Sequence, residues 1–195
     1  MVFDNAWNFL KSEVLAKGPR SRNVPEGYRE AAGVIITHRP TGRILFVRRS
    51  PKETSKHGMW ELPGGKVEGD EHPEQTAATE AMEEVGLPLN YLQHAGSHVD
   101  HDKNKVYHGY KATLHPNLHP DEHVKLSEEH DEHRWVHPDD VPSLLDDGGL
   151  SHHAEYLLGP DNPGGVSGPE FSDMSTHTDS HMPSYRAPEY DYSEM

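Results

Sequence analysis

The sequence predicts an α/β domain, and three observations carry that expectation. AAGVIIT (31–37), GRILFVRR (42–49), YLQHAGSHVDH (91–101) and KVYHGYKATL (105–114) are β-branched or alternating runs of strand character. HRPTG (38–42) separates the first two, with Pro40 presetting a turn and Gly42 tolerating positive φ, so they read as a hairpin. Between the two pairs of runs lies a well-punctuated helix, Gln75 to Val85, with Pro73 in its first turn and Gly86 as a left-handed stop.

The remaining elements follow in chain order. Phe3, Trp7, Leu10, Val14 and Leu15 recur at helical spacing, with Asp4 or Asn5 able to cap, which predicts a docking helix over 3–16. GPRSRNVPEG (18–27) is a linker because its prolines and glycines interrupt any ladder, so residues 1–27 form an extension and the domain proper runs from Tyr28 to Leu158. SPKETSKHG (50–58) reads as an exposed loop and MWELPGG (59–65) as a short strand. RWV (134–136) is a further strand, PDDVPSLL (138–145) a short helix and HHAEYLL (152–158) a last helix. Residues 159–195 are rich in Gly, Pro, Ser and Asp with almost no aliphatic side chains, and are expected to be a disordered acidic tail.

The chain of 195 residues has no cysteine, which excludes a disulfide framework and suits a reducing compartment. The opening MVFDNAWNFLKSEVLAKGPR lacks a basic stretch followed by an apolar run, and nothing approaches the roughly 20 apolar residues of a membrane span, so a soluble cytoplasmic protein is expected. Eighteen Lys plus Arg against 33 Asp plus Glu leave a net charge of −15, which disfavours nonspecific binding to nucleic acid or an anionic membrane. A small polyanion bridged by metal remains compatible. Charge is also uneven, with most cations in the first third of the chain.

At about 100° per residue, Glu80, Glu83 and Glu84 fall on one narrow stripe of the helix, with Ala78, Ala81, Met82 and Val85 opposite. An amphipathic surface helix explains the apolar stripe. It explains the anionic one poorly, because Glu80 and Glu84 are like charges at i, i+4 with no Lys or Arg between Gln75 and Val85 to offset them. A divalent cation turns that repulsion into binding. Hard oxygen donors point to Mg²⁺ or Mn²⁺, and the glycine pair before the helix leaves the Gly64 carbonyl room to face the ion. The chemistry implied is phosphate-anhydride cleavage. The same GGK is not a P-loop, since Val67 follows Lys66 and Trp60 stands where that motif has its first Gly.

Gly65, five residues, Glu71, seven residues, then TEAMEEVGL (79–87) resembles the Nudix box, with Thr79 in place of the family's Arg. ILFVRRS and WELPGGKVE resemble the MutT-like branch of that family, and EEHDEHRWVHPDD (128–140) its later acidic loop and tryptophan strand. The resemblance implies an α/β/α sandwich around a mixed β-sheet and a hydrolase of nucleoside diphosphates linked to another group. It assigns Glu80, Glu83, Glu84 and the Gly64 carbonyl to the metal, Glu80 also to the attacking water, and Glu71 to bracing loop and helix. Glu129 is implied as a further metal-binding or base carboxylate, with Glu128 and Glu132 as neighbouring competitors. Arg49, with Arg48 beside it, is implied to contact the substrate, the alternative being an ordinary charged strand end. The family's Arg fixes a catalytic Glu by charge-assisted bonds that a threonine hydroxyl cannot reproduce, so Thr79 requires a cation from elsewhere or a slower enzyme.

Lys52, Lys56 and Lys66 are either solvated or steer a polyphosphate. The 17 histidines include HVDH (98–101) and EEHDEHRWVH (128–137), but neither cysteine ligands nor a helical HEXXH accompanies them, and solvation is the default reading. Trp60 and Trp135 read as packing residues, while Tyr107 and Tyr110 are candidates to flank a base pocket. The expected function is metal-dependent hydrolysis of a nucleoside triphosphate, including an oxidised one, to the monophosphate and pyrophosphate. Dinucleoside polyphosphates, ADP-ribose and related conjugates are the alternative substrates. A Nudix fold kept as a nucleotide-binding or regulatory module is the alternative of another class.

Overall fold

Strand β1 (Arg29–His38) is the axis on which the other strands are hung. The computed structural model describes residues 24–89 and 91–159, so the helix expected at 3–16 and the tail beyond Gly159 lie outside the described residues. Along one edge β1 pairs in parallel with β6 (Lys105–Thr113), which pairs antiparallel with β5 (Gln93–Asp100). Along its other edge β1 meets β2 (Arg43–Arg49) at Thr37 and His38, the closed end of the hairpin. Further along that edge its partner is β4 (Gly64–Lys66), in the register Ala31↔Lys66, Ala32↔Gly65 and Gly33↔Gly64. Strand β3 (Trp60–Glu61) pairs with β2, and β7 (His130–Val136) takes the opposite edge of β2. The single strand expected in MWELPGG is thus two short pieces, each bonded to a different arm of the diverging hairpin.

The alternation of β1 sends side chains to two cores. Ala32, Val34 and Ile36 join Leu45, Val47, Tyr110 and Ala112 beneath α1 (Pro73–Val85), which contributes Ala77, Ala81 and Val85. Ile35 joins Phe46, Trp60, Leu62 and Val136 on the other face, beneath α2 (Ser143–Asp146) and α3 (His152–Leu158). This is the expected α/β/α sandwich with a mixed sheet. Gly33 and Gly109, opposite one another in register, seat α3 closely: a β-carbon at Gly33 would stand 2.8 Å from His153 Cε1, and one at Gly109 would overlap Leu157. The helix expected over 138–145 is broken into a 3-10 turn, Pro138–Asp140, and the single turn of α2, because Pro142 cannot donate to a continuous ladder.

Tyr107 and Tyr110 are three positions apart on β6 and therefore face opposite sides of the sheet; they cannot flank one pocket. Trp60 is fully buried and Trp135 half-buried against the α1-side core, as packing residues.

Candidate active site

Helix α1 begins with a reciprocal cap: the His72 imidazole accepts from the Glu74 amide, and Gln75 Oε1 accepts from the His72 amide at 2.8 Å. It ends at Gly86, in the left-handed conformation at φ 70°. Its buried face is not centred where the stripe of Ala78 and Met82 would place it. Ala77, Ala81 and Val85 are fully buried, Ala78 and Met82 only half so, and Glu84 lies on the buried side. That rotation brings the glutamates against the sheet at β4 rather than leaving all of them in solvent.

Glu84 is 6% exposed and accepts a hydrogen bond from the Gly64 amide at 2.9 Å. Burial pushes its carboxyl well above the usual range; the Gly64 bond opposes this, and the charges of Glu80, Glu61 and Glu129 add to it. One position along β4, the Glu80 carboxylate lies over Gly65 so closely that a β-carbon there would overlap it. Burial, then the charges of Glu83, Glu129, Glu71 and Glu68, lift Glu80 to about 7. Glu83 is exposed. Glu71, before the helix, accepts from the Thr76 hydroxyl at 2.9 Å, which ties the loop to the first turn.

The loop before β7 supplies Glu129, exposed, with its carboxylate 3.4 Å from Arg49 and its backbone carbonyl accepting from the Ser50 amide at 2.8 Å. Arg49 is not a free strand end. It donates to Glu61 at 3.1 Å and to Glu53 at 2.9 Å as well. Glu61 also accepts from His130 Nε2 at 3.2 Å, and that nitrogen is 4.0 Å from Glu84. Burial works to raise the Glu61 carboxyl, but the bonds from His130 and Arg49 outweigh it and hold it below the usual range. The result is one connected path, Arg49–Glu61–His130–Glu84–Gly64, drawn from β2, β3, β7, α1 and β4.

Glu61 and His130 were not singled out from the sequence as site residues. The signal for Glu61 is a lone carboxylate inside the apolar run WEL, and His130 is hidden among many solvated histidines. Arg48 turns elsewhere, donating to Asp131 at 2.9 Å with Glu132 at 2.8 Å. Lys66 is exposed on β4. The Thr79 hydroxyl makes no hydrogen bond among the described residues, whereas the Arg49 guanidinium is bonded to Glu61 and Glu53 and lies 3.4 Å from Glu129.

Carboxylates whose acidity is weakened by burial and then by neighbouring negative charge, as those of Glu80 and Glu84 are, suit a hard divalent cation. Among the described residues, no three His, Asp or Glu side chains stand together as a metal-holding group, and Glu83 and Glu129 are both exposed.

The profile of the NUDIX domain matches residues 27–157. The CTP pyrophosphohydrolase of Escherichia coli (strain K12) is 33% identical over 101 residues, covering 51% of this chain and 70% of that protein. An octanoyltransferase of Myxococcus xanthus is 33% identical over 129 residues, covering 64% of this chain but 34% of that protein, so the chain spans about a third of that relative's length. Among solved structures, the MutT protein from Methanosarcina mazei Go1 superposes with a TM-score of 0.51 at 28% identity, covering 68% of this chain and 90% of the other.

Proposed function

We propose, from the premise that the chain belongs to the NUDIX domain family, that it is a MutT-like, divalent-metal-dependent hydrolase of a nucleotide phosphoanhydride. The observation that carries the reading is the carboxylate centre where α1 meets β4, with Glu84 on the Gly64 amide and Glu80 over Gly65. Water adds to a phosphorus atom and the anhydride P–O bond breaks; for a nucleoside triphosphate the products are the monophosphate and pyrophosphate.

Glu80, Glu83, Glu84, Glu129 and the Gly64 carbonyl would hold Mg²⁺ or Mn²⁺. When bound, the ion supplies charge neutralisation at the phosphate oxygens and a more acidic water. Glu84 locks the strand to the helix, so the Gly64 carbonyl and the α1 carboxylates move as one body. Glu80, titrating near neutral pH in the metal-free protein, is suited to take the proton of the attacking water. Glu71 braces the loop through Thr76. Arg49 orders Glu61 and Glu129, the task left open by Thr79, and meets the substrate from within that network. Lys66 reaches the phosphates directly, whereas Arg48 does so only by leaving Asp131 and Glu132.

The test is a panel of nucleoside triphosphates (oxidised ones included), dinucleoside polyphosphates and ADP-ribose, incubated with Mg²⁺ and resolved by product. Pyrophosphate release marks a triphosphate substrate; two nucleotides, or AMP with a sugar phosphate, mark the conjugates. Glu83→Gln, exposed and therefore tolerated by the fold, is expected to abolish metal-dependent turnover. Nucleotide affinity with no turnover on any substrate would instead establish a binding module.

A further inference from the structure

The α1 side of the sheet carries a row of polar side chains that the carboxylate centre does not use. It starts on β5, the last strand of the described sheet, whose ladder with β6 slips between His94 and Gly96, where Gly96 takes φ 129°. On a regular strand His94 and Ser97, three positions apart, face opposite sides. The extra residue of the bulge turns them to the same side, with His94 Nε2 3.0 Å from Ser97 Oγ. Ser97 lies directly opposite His108 of β6, whose Nδ1 is 3.0 Å from the same hydroxyl. His108 lies opposite Ala32 of β1, a side chain small enough for the imidazole to run diagonally to Glu30, with Nε2 3.0 Å from Oε2. The Ser97 carbonyl accepts from the Tyr156 hydroxyl at 3.1 Å, so α3 holds the strand from the other side. Gly65, Ala32, His108 and Ser97 are in register across four strands, which sets Ser97 roughly 14 Å, three strand spacings, from the glycine beneath Glu80.

The row runs from solvent to interior: His94 and Ser97 are exposed, His108 and Glu30 are buried. Its hydrogens can be assigned end to end. A carboxylate at Glu30 only accepts, so His108 Nε2 carries the proton and Nδ1 keeps its lone pair. That lone pair accepts from the Ser97 hydroxyl, and Ser97 Oγ in turn accepts from His94 Nε2. Ser97 is thus an exposed hydroxyl bonded to a base that a third group orients, the arrangement that activates a nucleophile. Burial lowers the His108 constant, the bond and charge of Glu30 oppose this, and His94 and His72 lower it again. The imidazole is therefore neutral at neutral pH and free to take a proton.

We propose that Ser97 is a nucleophile for acyl transfer, with His108 as its base and Glu30 positioning that base, and that it takes its acyl group from an activated ester. Ser97 Oγ bonds to the ester carbonyl carbon, and the bond from that carbon to the leaving oxygen breaks. The hydroxyl proton passes to His108 Nδ1 and from there to the departing oxygen. The product is a serine ester on β5. The reaction requires neither metal nor nucleotide, so it stands or falls separately from the hydrolase reading.

The test incubates the full chain in EDTA with p-nitrophenyl acetate and follows acetylation by peptide mass mapping. Ser97 is expected to be acetylated about a hundredfold faster in the folded protein than in urea, the worth of a positioned base. Ser97→Ala should lose that modification and keep any metal-dependent nucleotide hydrolysis, because the hydroxyl lies outside the carboxylate centre. His108→Ala should slow acetylation about a hundredfold, and added imidazole should restore part of the rate, which a purely structural histidine does not allow. Glu30→Gln keeps the shape and removes the charge. It should slow acetylation about tenfold and move the pH midpoint of the rate downward, because Glu30 raises the His108 constant. Ser97 is exposed, so wild type against Ser97→Ala, folded against urea, decides the matter even if the buried variants do not fold. Acetylation of Ser97 no faster than in urea, acetyl groups on lysines alone, or a Ser97 rate indifferent to the loss of His108 would each overturn the inference.

Discussion

Replacing Glu80 by Gln is expected to stabilise the metal-free protein above neutral pH and to destabilise it relative to wild type once Mg²⁺ is present. Folding lifts this carboxyl from 4.5 to about 7, so the folded chain holds a proton that the unfolded chain has released. Stability from that proton is complete below about pH 4.5 and is lost as the pH rises through about 7. A shift of that size in a fully shielded group is worth about 3 kcal/mol. Solvent reaches Glu80, which reduces the figure to about 1–2 kcal/mol, or about 4–8 °C in the melting temperature of a domain this size. Burial of His153 acts in the opposite sense, because its depressed constant adds stability that is lost as the pH falls below its ordinary 6.5. The informative quantity is accordingly the difference between wild type and Glu80→Gln, melted in EDTA from pH 5 to 8.5. The variant should gain on wild type from pH 5 to about 7 and hold a constant advantage above about 8. Saturating Mg²⁺ should erase or reverse the gain, since only wild type keeps the full set of charged donors and binding stabilises the native state by mass action. A constant difference across the pH range, or an equal Mg²⁺ response in both proteins, would refute the view that Glu80 is a repelled carboxylate awaiting a cation.

Arg49→Lys keeps a positive charge but cannot span Glu61, Glu53 and Glu129, so kcat is expected to fall about tenfold or more with KM little changed; a raised KM at full kcat would make Arg49 a substrate contact alone. Gly65→Ala drives a β-carbon into the Glu80 carboxylate, and about a hundredfold loss of turnover with a near-native circular dichroism spectrum is expected. Thr79→Arg adds an i, i+4 partner for Glu83 worth about 0.3–0.5 kcal/mol in a metal-free melt. Its effect on turnover is expected to stay within about threefold, because Arg49 already holds Glu61 and Glu129; a large gain would show that position 79 limits the enzyme.

The parts of this protein that could be read from its sequence are those whose cause is local. Pro73, the run of helix formers and Gly86 fix α1 within a dozen residues, and the alternation of β1 and β2 is visible in their own side chains. The wedge of β3 and β4 was not legible as such, because two- and three-residue strands exist only where a diverging hairpin leaves edges to fill. The angular stripe sets Glu80, Glu83 and Glu84 on neighbouring positions of the helix, yet helical periodicity says nothing about which flank of the stripe meets the sheet, and the structure leaves Glu83 exposed while burying Glu84. Glu84 became a buried residue through its bond to a backbone amide twenty positions earlier. Glu61 and His130 meet across 69 positions, and neither has a neighbour in sequence that marks it out.

The uneven charge of the sequence acquires a spatial meaning in the fold. Arg29 and Lys66 come from the cation-rich first third, and the registers of β1 with β4 and β6 set them on one face of the sheet with Lys105. Strand β4 then becomes the boundary between two fields. Gly65 turns toward α1 and carries the Glu80 carboxylate above it, while Lys66, the next residue, turns to the α3 face. On the hydrolase reading, the cation that the helix lacks at Thr79 enters from the sheet as Arg49, bonded to Glu61 and close to Glu129.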